Sequence, residues 1–408
     1  NGLVFTDALN MKGASNFKKP GEIDLAAFLA GNDVLLISES IPKAHQLIVN
    51  ACIDGRILEA RLERSVKKIL YAKYKVGLNN YQPVDLNNLV EDLNTPLDNV
   101  IYEEAMANAL TVLKNDRLIV PIKKIDNIKI AYVELGDDSG EHFLNQLKKY
   151  AKVDKVKAKS VDEYNEKLKE YDLTIIGFHK SNANPWKGYK FSQLELTKLY
   201  EIARNNKVIL DVFARPYALL DVTVPSNIEG IIMSYQNSKV SQELSAQLIF
   251  GAITAKGSLP VSIGEKFPLQ TTIFTRSQNR LKYGTPESVG VNSIKLEKID
   301  SLTNYGITED WMPGAQILVA RKGKVIYHKT FGYHTQKKKI KVSDDDIYDV
   351  ASLTKILATL PMVMELVDDG TINLNTKISE LLPEYMGSNK GNITLKNMLS
   401  HYARIKAW

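Results

Sequence analysis

Short apolar runs alternate with amphipathic stretches over the first 78 residues of this 408-residue chain. The apolar residues 2–5 predict a short buried strand, and the run DVLLIS at 33–38 predicts a second one. Between 57 and 75 the apolar residues recur about every 3.6 positions, which predicts a helix that ends at Gly77 as its C-terminal cap. Further amphipathic helices are predicted at about 22–30 and 42–54. Strands that alternate with helices in this way indicate parallel βα units.

A second region, from about 100 to 265, contains strands of a different kind. Amphipathic helices such as 192–206 separate runs that are apolar throughout, as is typical of strands buried on both faces. These runs lie at 127–135, 172–179, 207–214 and 228–235. The pattern predicts a parallel sheet with helices on both faces.

The last region begins with a hairpin and continues with a helix. Two alternating strands flank Lys322-Gly323 within 315–333, and an amphipathic helix is predicted to begin near Ser352. Two polar stretches rich in Asn, Asp, Gly, Pro or Ser predict linkers at 79–99 and 268–293. The chain is therefore expected to contain three folded segments, at 1–78, 100–267 and 294–408.

The charge pattern argues against nucleic-acid binding. The net charge is +6, but the 53 basic residues are interleaved with 47 acidic ones, and only ten of the basic residues are Arg. The single cysteine, Cys52, excludes an internal disulfide. No apolar stretch reaches the roughly 18 residues of a membrane span, so no transmembrane segment is expected. Since the chain begins with Asn1 inside a strand, we expect further residues before it.

The first candidate for chemistry is the stretch GLVFTDALNMKGAS, in which the apolar run ends at Thr6 and Asp7. In a (β/α) barrel the carboxyl ends of the strands meet at one mouth, where catalytic groups are found. Asp7 is therefore positioned for catalysis, and the alternative is that it caps the following turn. Met11 either lines a substrate subsite or fills the core.

This stretch closely resembles the nucleophile segment of glycoside hydrolase family 3, in particular the β-N-acetylglucosaminidase branch that acts on peptidoglycan fragments. The segments FLAGNDVLLIS and GRILEARLERSVKKILYAKYKVGL continue the resemblance. The segments VILDVFARPYALLDV and AQLIFGAITAKGSLPVSIG resemble the second, α/β-sandwich domain of that family. The resemblance covers about residues 1–265 and implies that Asp7 is the catalytic nucleophile.

A retaining glycosidase also needs an acid/base group, at roughly 5–5.5 Å in the usual carboxylate pair. In the β-N-acetylglucosaminidase branch this group is a His held by an Asp on a loop before the nucleophile strand. In the β-glucosidase branch a Glu of the second domain serves, and neither group can be assigned in this sequence. The two βα units are a small part of a complete barrel, so we expect a piece of a larger hydrolase that is itself inactive as a glycosidase.

A second candidate for chemistry is VASLTKILATL, which contains Ser352 at a helix start and Lys355 three residues later. This spacing puts the ammonium and the hydroxyl on one helix face, and the helix N-terminus adds positive charge beneath them. Both features stabilise a developing alkoxide, and a neutral lysine could accept the proton. The alternative is that Ser352 is a plain helix N-cap.

The surrounding segments, MPGAQILVARKGKVIYHKTFGY, DDIYDVASLTK and LVDDGTINLNTKISELLPEY, resemble the β-lactamase and penicillin-binding serine hydrolases. The resemblance covers about 283–408 and is to the branch with class C β-lactamases and esterases. It implies that Ser352 is acylated and that Lys355 is its base or electrostatic partner. The family's later motifs are not in this sequence, and SHYARIKAW replaces its usual His-Thr-Ser-Gly-like turn.

Together these features predict an α/β fold class, with a partial (β/α) barrel, a parallel-sheet α/β sandwich and a truncated α+β serine-hydrolase domain of the β-lactamase type. The expected function is that of a retaining exo-β-glycosidase with an attached serine hydrolase. Its substrates would be terminal β-N-acetylglucosaminides of peptidoglycan or chitin-like fragments, and its intermediate a covalent glycosyl-Asp7 ester. A β-glucosidase-type enzyme and an inactive carbohydrate-binding fusion are the alternatives. We expect no cofactor, no metal and no nucleic-acid partner, and family analogy suggests the periplasm or cell envelope.

Overall fold

The computed structural model describes residues 2–184, 186–223 and 225–406. The chain divides into two compact units, Asn1–Asn94 and Thr95–Trp408. The strands are β1 Phe5–Ala8, β2 Val34–Leu36, β3 Thr111–Asn115, β4 Ile130–Gly136, β5 Val153–Lys155, β6 Leu173–His179, β7 Val208–Phe213, β8 Gly230–Met233, β9 Lys282–Tyr283, β10 Gly314–Arg321 and β11 Lys324–Gly332. The α-helices are α1 Lys12–Ser15, α2 Glu22–Leu29, α3 Ile41–Ile53, α4 Glu59–Lys75, α5 Leu89–Leu93, α6 Pro96–Ala109, α7 Glu141–Lys148, α8 Val161–Leu168, α9 Gln193–Asn205, α10 Lys239–Ile249, α11 Ser293–Thr308, α12 Leu360–Asp368, α13 Ile378–Leu381 and α14 Leu395–Leu399.

In the first unit, β1 and β2 form a parallel two-stranded sheet, in register at Phe5 and Val34. The predicted helices are confirmed as α2, α3 and α4, and Gly77 follows α4 with a φ of 84° that suits a residue without a side chain. The predicted strand at 2–5 is wrong in two respects, because β1 begins only at Phe5 and Phe5 is 53% exposed. Pairing with one strand leaves a side chain of β1 without a covering layer.

The second unit is built on a six-stranded sheet in the order β3-β8-β7-β6-β4-β5. The four predicted strands are confirmed as the parallel neighbours β4, β6, β7 and β8. The edge strands were missed, and β3 pairs antiparallel to β8.

Successive side chains of β4 point into two separate cores, as a pleated strand requires. Ile130 and Tyr132 pack with residues of α7 and α10, whereas Ala131 and Val133 pack with residues of α8 and α9. Helices therefore cover both faces of the sheet, as predicted.

The C-terminal part of the second unit contains the predicted hairpin, formed by β10 and β11. Both turn residues have positive φ, 51° at Lys322 and 72° at Gly323, as a tight two-residue hairpin turn requires. The short strand β9 adds in parallel to β11. No helix in the described ranges is both long and apolar enough to cross a bilayer.

The stretch 268–293, here called the connecting segment, is held firmly against the sandwich. The Arg280 guanidinium donates to the carbonyl oxygens of Ile122 (2.7 Å), Phe250 (2.6 Å) and Lys123 (2.8 Å). The side-chain amide of Gln247 pairs with both backbone groups of Tyr283, at 2.9 and 3.0 Å. The boundary between the two units, after Asn94, falls within the predicted linker 79–99, whereas the connecting segment belongs to the second unit.

Candidate functional site

Asp7 lies at the carboxyl end of β1, where neighbouring residues hold the backbone on both sides. The hydroxyl of Thr6 accepts from the N–H of Leu36 (2.9 Å), and the N–H of Leu9 donates to the Leu36 carbonyl (3.0 Å). The Asp7 side chain is exposed, and its Oδ1 accepts from the N–H of Ala8 (2.7 Å). The carboxylate is thus fixed by its backbone and open to a ligand.

A buried carboxylate, Asp33, ties β1 to α4. Its side chain is 1% exposed, and its oxygens accept from the Val4 N–H (3.0 Å), the Ser65 hydroxyl (2.5 Å) and the Lys68 ammonium (2.9 Å). The Ser65 and Lys68 hydrogen bonds hold the pKa of Asp33 well below its usual range. The charge of Asp33 therefore helps to position the strand that carries Asp7, a role no sequence motif indicated.

Met11 lies one turn after Asp7 and is not part of a core. Its side chain is 53% exposed, and its N–H donates to the carbonyl of Ala8 (3.2 Å). The alternative that Met11 fills the core is therefore not supported, and contact with a substrate stays a prediction.

Ser352 and Lys355 are in direct contact in the second unit. The Lys355 ammonium donates to the Ser352 Oγ at 3.2 Å, and both side chains are exposed. Among the described residues no backbone amide donates to the Ser352 hydroxyl, so its bonding differs from that of a helix cap. The structure thus brings together the two residues of the Ser-x-x-Lys motif.

The backbone around Ser352 is irregular, although a regular helix was predicted to begin there. Ala351–Leu353 forms a 3₁₀ turn, Lys355–Thr359 forms a π-helical turn, and only then does α12 begin. Pro361 explains part of this geometry, because it offers no N–H to the carbonyl four residues earlier. Ala351 has a φ of 44°, and the Asp349 carboxylate holds its N–H at 2.7 Å. Such strain is found most often at functional sites.

His179, at the end of β6, belongs to a buried network within the sandwich. Its Nδ1 donates to Oδ1 of Asn237 (2.7 Å), and its Nε2 accepts from the Tyr132 hydroxyl (2.9 Å). Burial lowers the pKa of His179 to about 4, so the ring is neutral at neutral pH. His179 is therefore a neutral, hydrogen-bonded core residue of the sandwich.

A second buried group, Asp211 on β7, accepts hydrogen bonds from two serine hydroxyls and the Val212 backbone and has no cationic partner among the described residues. Ser234 donates to its Oδ1 at 2.7 Å, and the Ser245 hydroxyl donates to its Oδ2. Burial raises the pKa of Asp211 to about 7. Within the described part of the chain, no cluster of three or more His, Cys, Asp or Glu side chains could hold a metal ion.

In comparisons with known proteins, the C-terminal quarter of the chain and the part before it match different proteins. Residues 299–408 match the family model described as beta-lactamase. Protein flp of Staphylococcus aureus (strain NCTC 8325 / PS 47) is 34% identical over 113 residues, which are 27% of this chain and 22% of that protein. The chain thus spans about a fifth of this relative's length.

Solved structures are similar to the N-terminal part. The beta-glucoside phosphorylase BglX has a TM-score of 0.50 at 18% identity, over 64% of this chain and 49% of that one. A glycoside hydrolase family 3 beta-N-acetylglucosaminidase from Paenibacillus sp. str. FPU-7 has a TM-score of 0.46 at 21% identity, over 67% of this chain and 52% of that one. The chain spans about half of each. It therefore combines a region with a fold similar to that of a beta-glucoside phosphorylase and a C-terminal segment that matches the beta-lactamase family model.

Proposed function

We propose that this chain carries the nucleophile of a retaining exo-β-glycosidase, and that the nucleophile is Asp7. The observation that supports this best is the exposed Asp7 carboxylate at the carboxyl end of β1, on a backbone held by β2. Catalytic groups of barrel enzymes occupy such strand ends. The fold shared with a beta-glucoside phosphorylase is consistent with this assignment but does not carry it.

In this mechanism one Asp7 oxygen attacks the anomeric carbon while the bond to the leaving oxygen breaks and that oxygen takes a proton from the enzyme's acid/base group. Water then attacks the same carbon and returns a proton to the acid/base group, and Asp7 leaves as a carboxylate, so that the configuration is retained. The hydrogen bond from the Ala8 N–H to Oδ1 orients the side chain. The preferred substrates are terminal β-N-acetylglucosaminides, on the strength of the sequence resemblance.

Asp7→Ala tests the role of Asp7 in the natural protein that contains this chain. We expect turnover of an aryl β-N-acetylglucosaminide to fall by roughly a thousandfold or more, because the covalent step is lost. Asp54→Ala, at another exposed carboxylate of the same unit, is the matched control and should retain full turnover. An Asp7→Ala protein with a tenth of wild-type turnover would contradict the assignment.

The same protein distinguishes the alternatives. A 5-fluoro glycosyl fluoride, prepared with either a 2-hydroxyl or a 2-acetamido group, should leave an adduct on Asp7 that mass spectrometry locates. Faster labelling by the glucosyl than by the 2-acetamido substrate would indicate the β-glucosidase type. Sugar binding without any turnover or adduct would indicate an inactive carbohydrate-binding fusion.

We further propose that the C-terminal segment belongs to a serine hydrolase in which Ser352 is acylated. The 3.2 Å contact between Lys355 and Ser352 supports this, as does the beta-lactamase match over 299–408. Ser352 Oγ would attack a carbonyl carbon, the bond to the leaving group would break, and the serine proton would pass to that leaving group. The Lys355 ammonium, which donates to Oγ, would stabilise the developing alkoxide, and water would later release the acyl group and restore the hydroxyl.

A fluorophosphonate or penicillin probe tests this second proposal in the natural protein. The adduct should map to Ser352, disappear in Ser352→Ala and weaken at least roughly a hundredfold in Lys355→Met. Ser388→Ala, at an exposed serine of the same segment, is the control and should label normally. Equal labelling of Lys355→Met and wild type would remove Lys355 from the mechanism.

A further inference from the structure

A cleft of about 450 Å³ lies in the second unit, where the sandwich meets the C-terminal part. One wall is formed by α6 and α10, and the other by β9 and the start of β11. Its size is in the range of small-molecule sites in proteins. Its charged lining residues are Glu103, Glu104, Lys256, Lys282 and Lys324.

Two lysines lie side by side in this cleft. Lys282 and Lys324 are register partners in the parallel pair β9 and β11, so their side chains share one face of the sheet. In the described ranges no carboxylate oxygen lies within 4.0 Å of either ammonium group. Like charges directly opposite each other weaken strand pairing. The fold therefore keeps an unfavourable pair of positive charges at the cleft wall.

Lys324 is also partly removed from water. Its Nζ donates to the Ser288 hydroxyl at 2.7 Å. Burial lowers the pKa of Lys324, the charge of Glu103 opposes this shift, and the charge of Lys282 adds to it. The hydroxyl and the Glu103 charge together do not offset the burial, because the pKa of Lys324 stays lowered. An anion between the two lysines would compensate both the burial and the repulsion.

The nearest carboxylate in the cleft, Glu103, is already occupied. Its oxygens accept from the N–H of Thr285 (3.2 and 3.3 Å) and from the Thr285 hydroxyl (3.2 Å). Gly284 lies between the two charged groups, and a Cβ there would come within 3.0 Å of Lys324 Cδ and 3.1 Å of Glu103 Oε2. The absence of a side chain at 284 leaves room for the Lys324 side chain at the cleft wall.

We propose that this cleft binds a small organic anion, with a carboxylate or phosphate group held between the ammonium groups of Lys282 and Lys324 and next to the Ser288 hydroxyl. The remainder of the ligand lies in the cleft toward Glu104 on α6, so that it contacts both the sandwich and the C-terminal part. This site is independent of Asp7 and of Ser352.

The test is a titration of the 408-residue chain with inorganic phosphate and, separately, with succinate, each matched in ionic strength by NaCl. At least one of the two anions should raise the thermal unfolding midpoint more than NaCl does, and more in wild type than in Lys282→Met, because a ligand that binds the folded state stabilises it. The comparison with the variant removes the general stabilisation that both anions give by exclusion from the protein surface. The anion that acts identifies the group that the site prefers. If neither anion exceeds the NaCl control, the proposal is overturned.

The variant Lys282→Met gives a result that a purely structural lysine would not. Without anion it should be as stable as wild type or more stable, because the repulsion is gone, and its apparent Kd for the active anion should be about tenfold weaker. The matched control is Lys337→Met, an exposed lysine that does not line the cleft, and it should bind the anion as wild type does. Equal anion binding by Lys282→Met and wild type would overturn the proposal, and Lys324→Met repeats the test at the second lysine.

Discussion

At the scale of single residues, two buried carboxylates show how their partners decide their charge. Asp33 accepts hydrogen bonds from an amide, a hydroxyl and an ammonium group, and its pKa is lowered. Asp211 is held by two serine hydroxyls, which do not offset its burial, and its pKa is raised to about 7. The same residue type therefore stabilises its unit in opposite ranges of pH.

Asp211 predicts a pH dependence of stability in the second unit. Its pKa is about 7 when folded and 3.8 as the ordinary value, so the folded state binds the proton more tightly. This contribution is fully present below pH 3.8 and is lost as the pH rises through 7, by up to roughly 4 kcal/mol. Asp211→Asn imitates the protonated acid and should lack this loss.

The measurement is urea unfolding of wild type and Asp211→Asn at pH 5 and pH 8. Far-UV circular dichroism follows the loss of secondary structure, and hydrogen exchange of the sandwich strands locates it in the second unit. Relative to wild type, the variant should be more stable at pH 8 than at pH 5. The contributions of other titrating groups, His179 among them, cancel in this comparison because both proteins contain them. A difference that does not change with pH would contradict the assignment.

At the scale of elements, the contact of α4 with β1 and β2 depends on Asp33. Asp33→Ala removes the carboxylate partner of Lys68 and Arg61, which keep only backbone carbonyl and hydroxyl acceptors, and it removes the acceptor of the Val4 amide. We expect local stability to fall by about 3 kcal/mol, which corresponds to roughly a hundredfold faster hydrogen exchange. The peptides affected should be those of β1 and α4.

The neighbouring ion pair between Asp54 and Arg56 provides a matched control. Both side chains are about half exposed, at 46% and 51%, and water already solvates them. Asp54→Ala should therefore leave exchange in β1 and α4 unchanged. Ser65→Ala, which removes one donor to Asp33, should give an intermediate effect, and wild-type exchange in both Asp33→Ala and Ser65→Ala would exclude the role given to Asp33.

Elements with a strong local pattern could be predicted from the sequence. The central strands of the large sheet, α4 with its Gly77 cap, and the hairpin at Lys322 each depend on neighbours a few residues away. The edge strand β3 could not be predicted in this way, because it forms by antiparallel pairing with β8, about 120 residues later. The start of β1 was misplaced because a short apolar run does not reveal how many layers cover it.

Of the candidate site, the sequence could indicate residue types and local spacing only. The contact of Lys355 with Ser352 follows from a three-residue spacing and was predictable. The hydrogen bond from Ser65 on α4 to Asp33, about 30 residues earlier, was not predictable. Nor was the pairing of Lys282 with Lys324, since β9 has only two residues and no strand pattern.

At the scale of the whole molecule, the buried apolar side chains are unevenly distributed. Two large clusters cover the two faces of the six-stranded sheet, whereas the cluster of the first unit consists of Phe28, Ala51 and Ile57. Local opening costs least where few apolar contacts are buried.

Hydrogen exchange of the 408-residue chain should therefore be fastest in residues 2–78 and slowest in β4, β6 and β7. The sandwich strands should be protected at least roughly a hundredfold more than α3 and α4. Mass spectrometry of peptic peptides measures this directly. Equal protection of the two regions would mean that the small cluster is stabilised by contacts other than buried apolar area.

The hydrogen bonds from Arg280 to three carbonyl groups limit where this chain can be joined to another protein in a chimera. A chimera joined at residue 267, where the polar stretch begins, would leave the carbonyls of Ile122, Lys123 and Phe250 without their donor. It would also remove the partner of the Tyr150 hydroxyl, which donates to the Leu281 carbonyl at 2.7 Å. The crossover point that keeps these bonds and those from Thr285 to the Glu103 carboxylate lies after Thr285, so the sandwich and residues 268–285 are inherited as one piece.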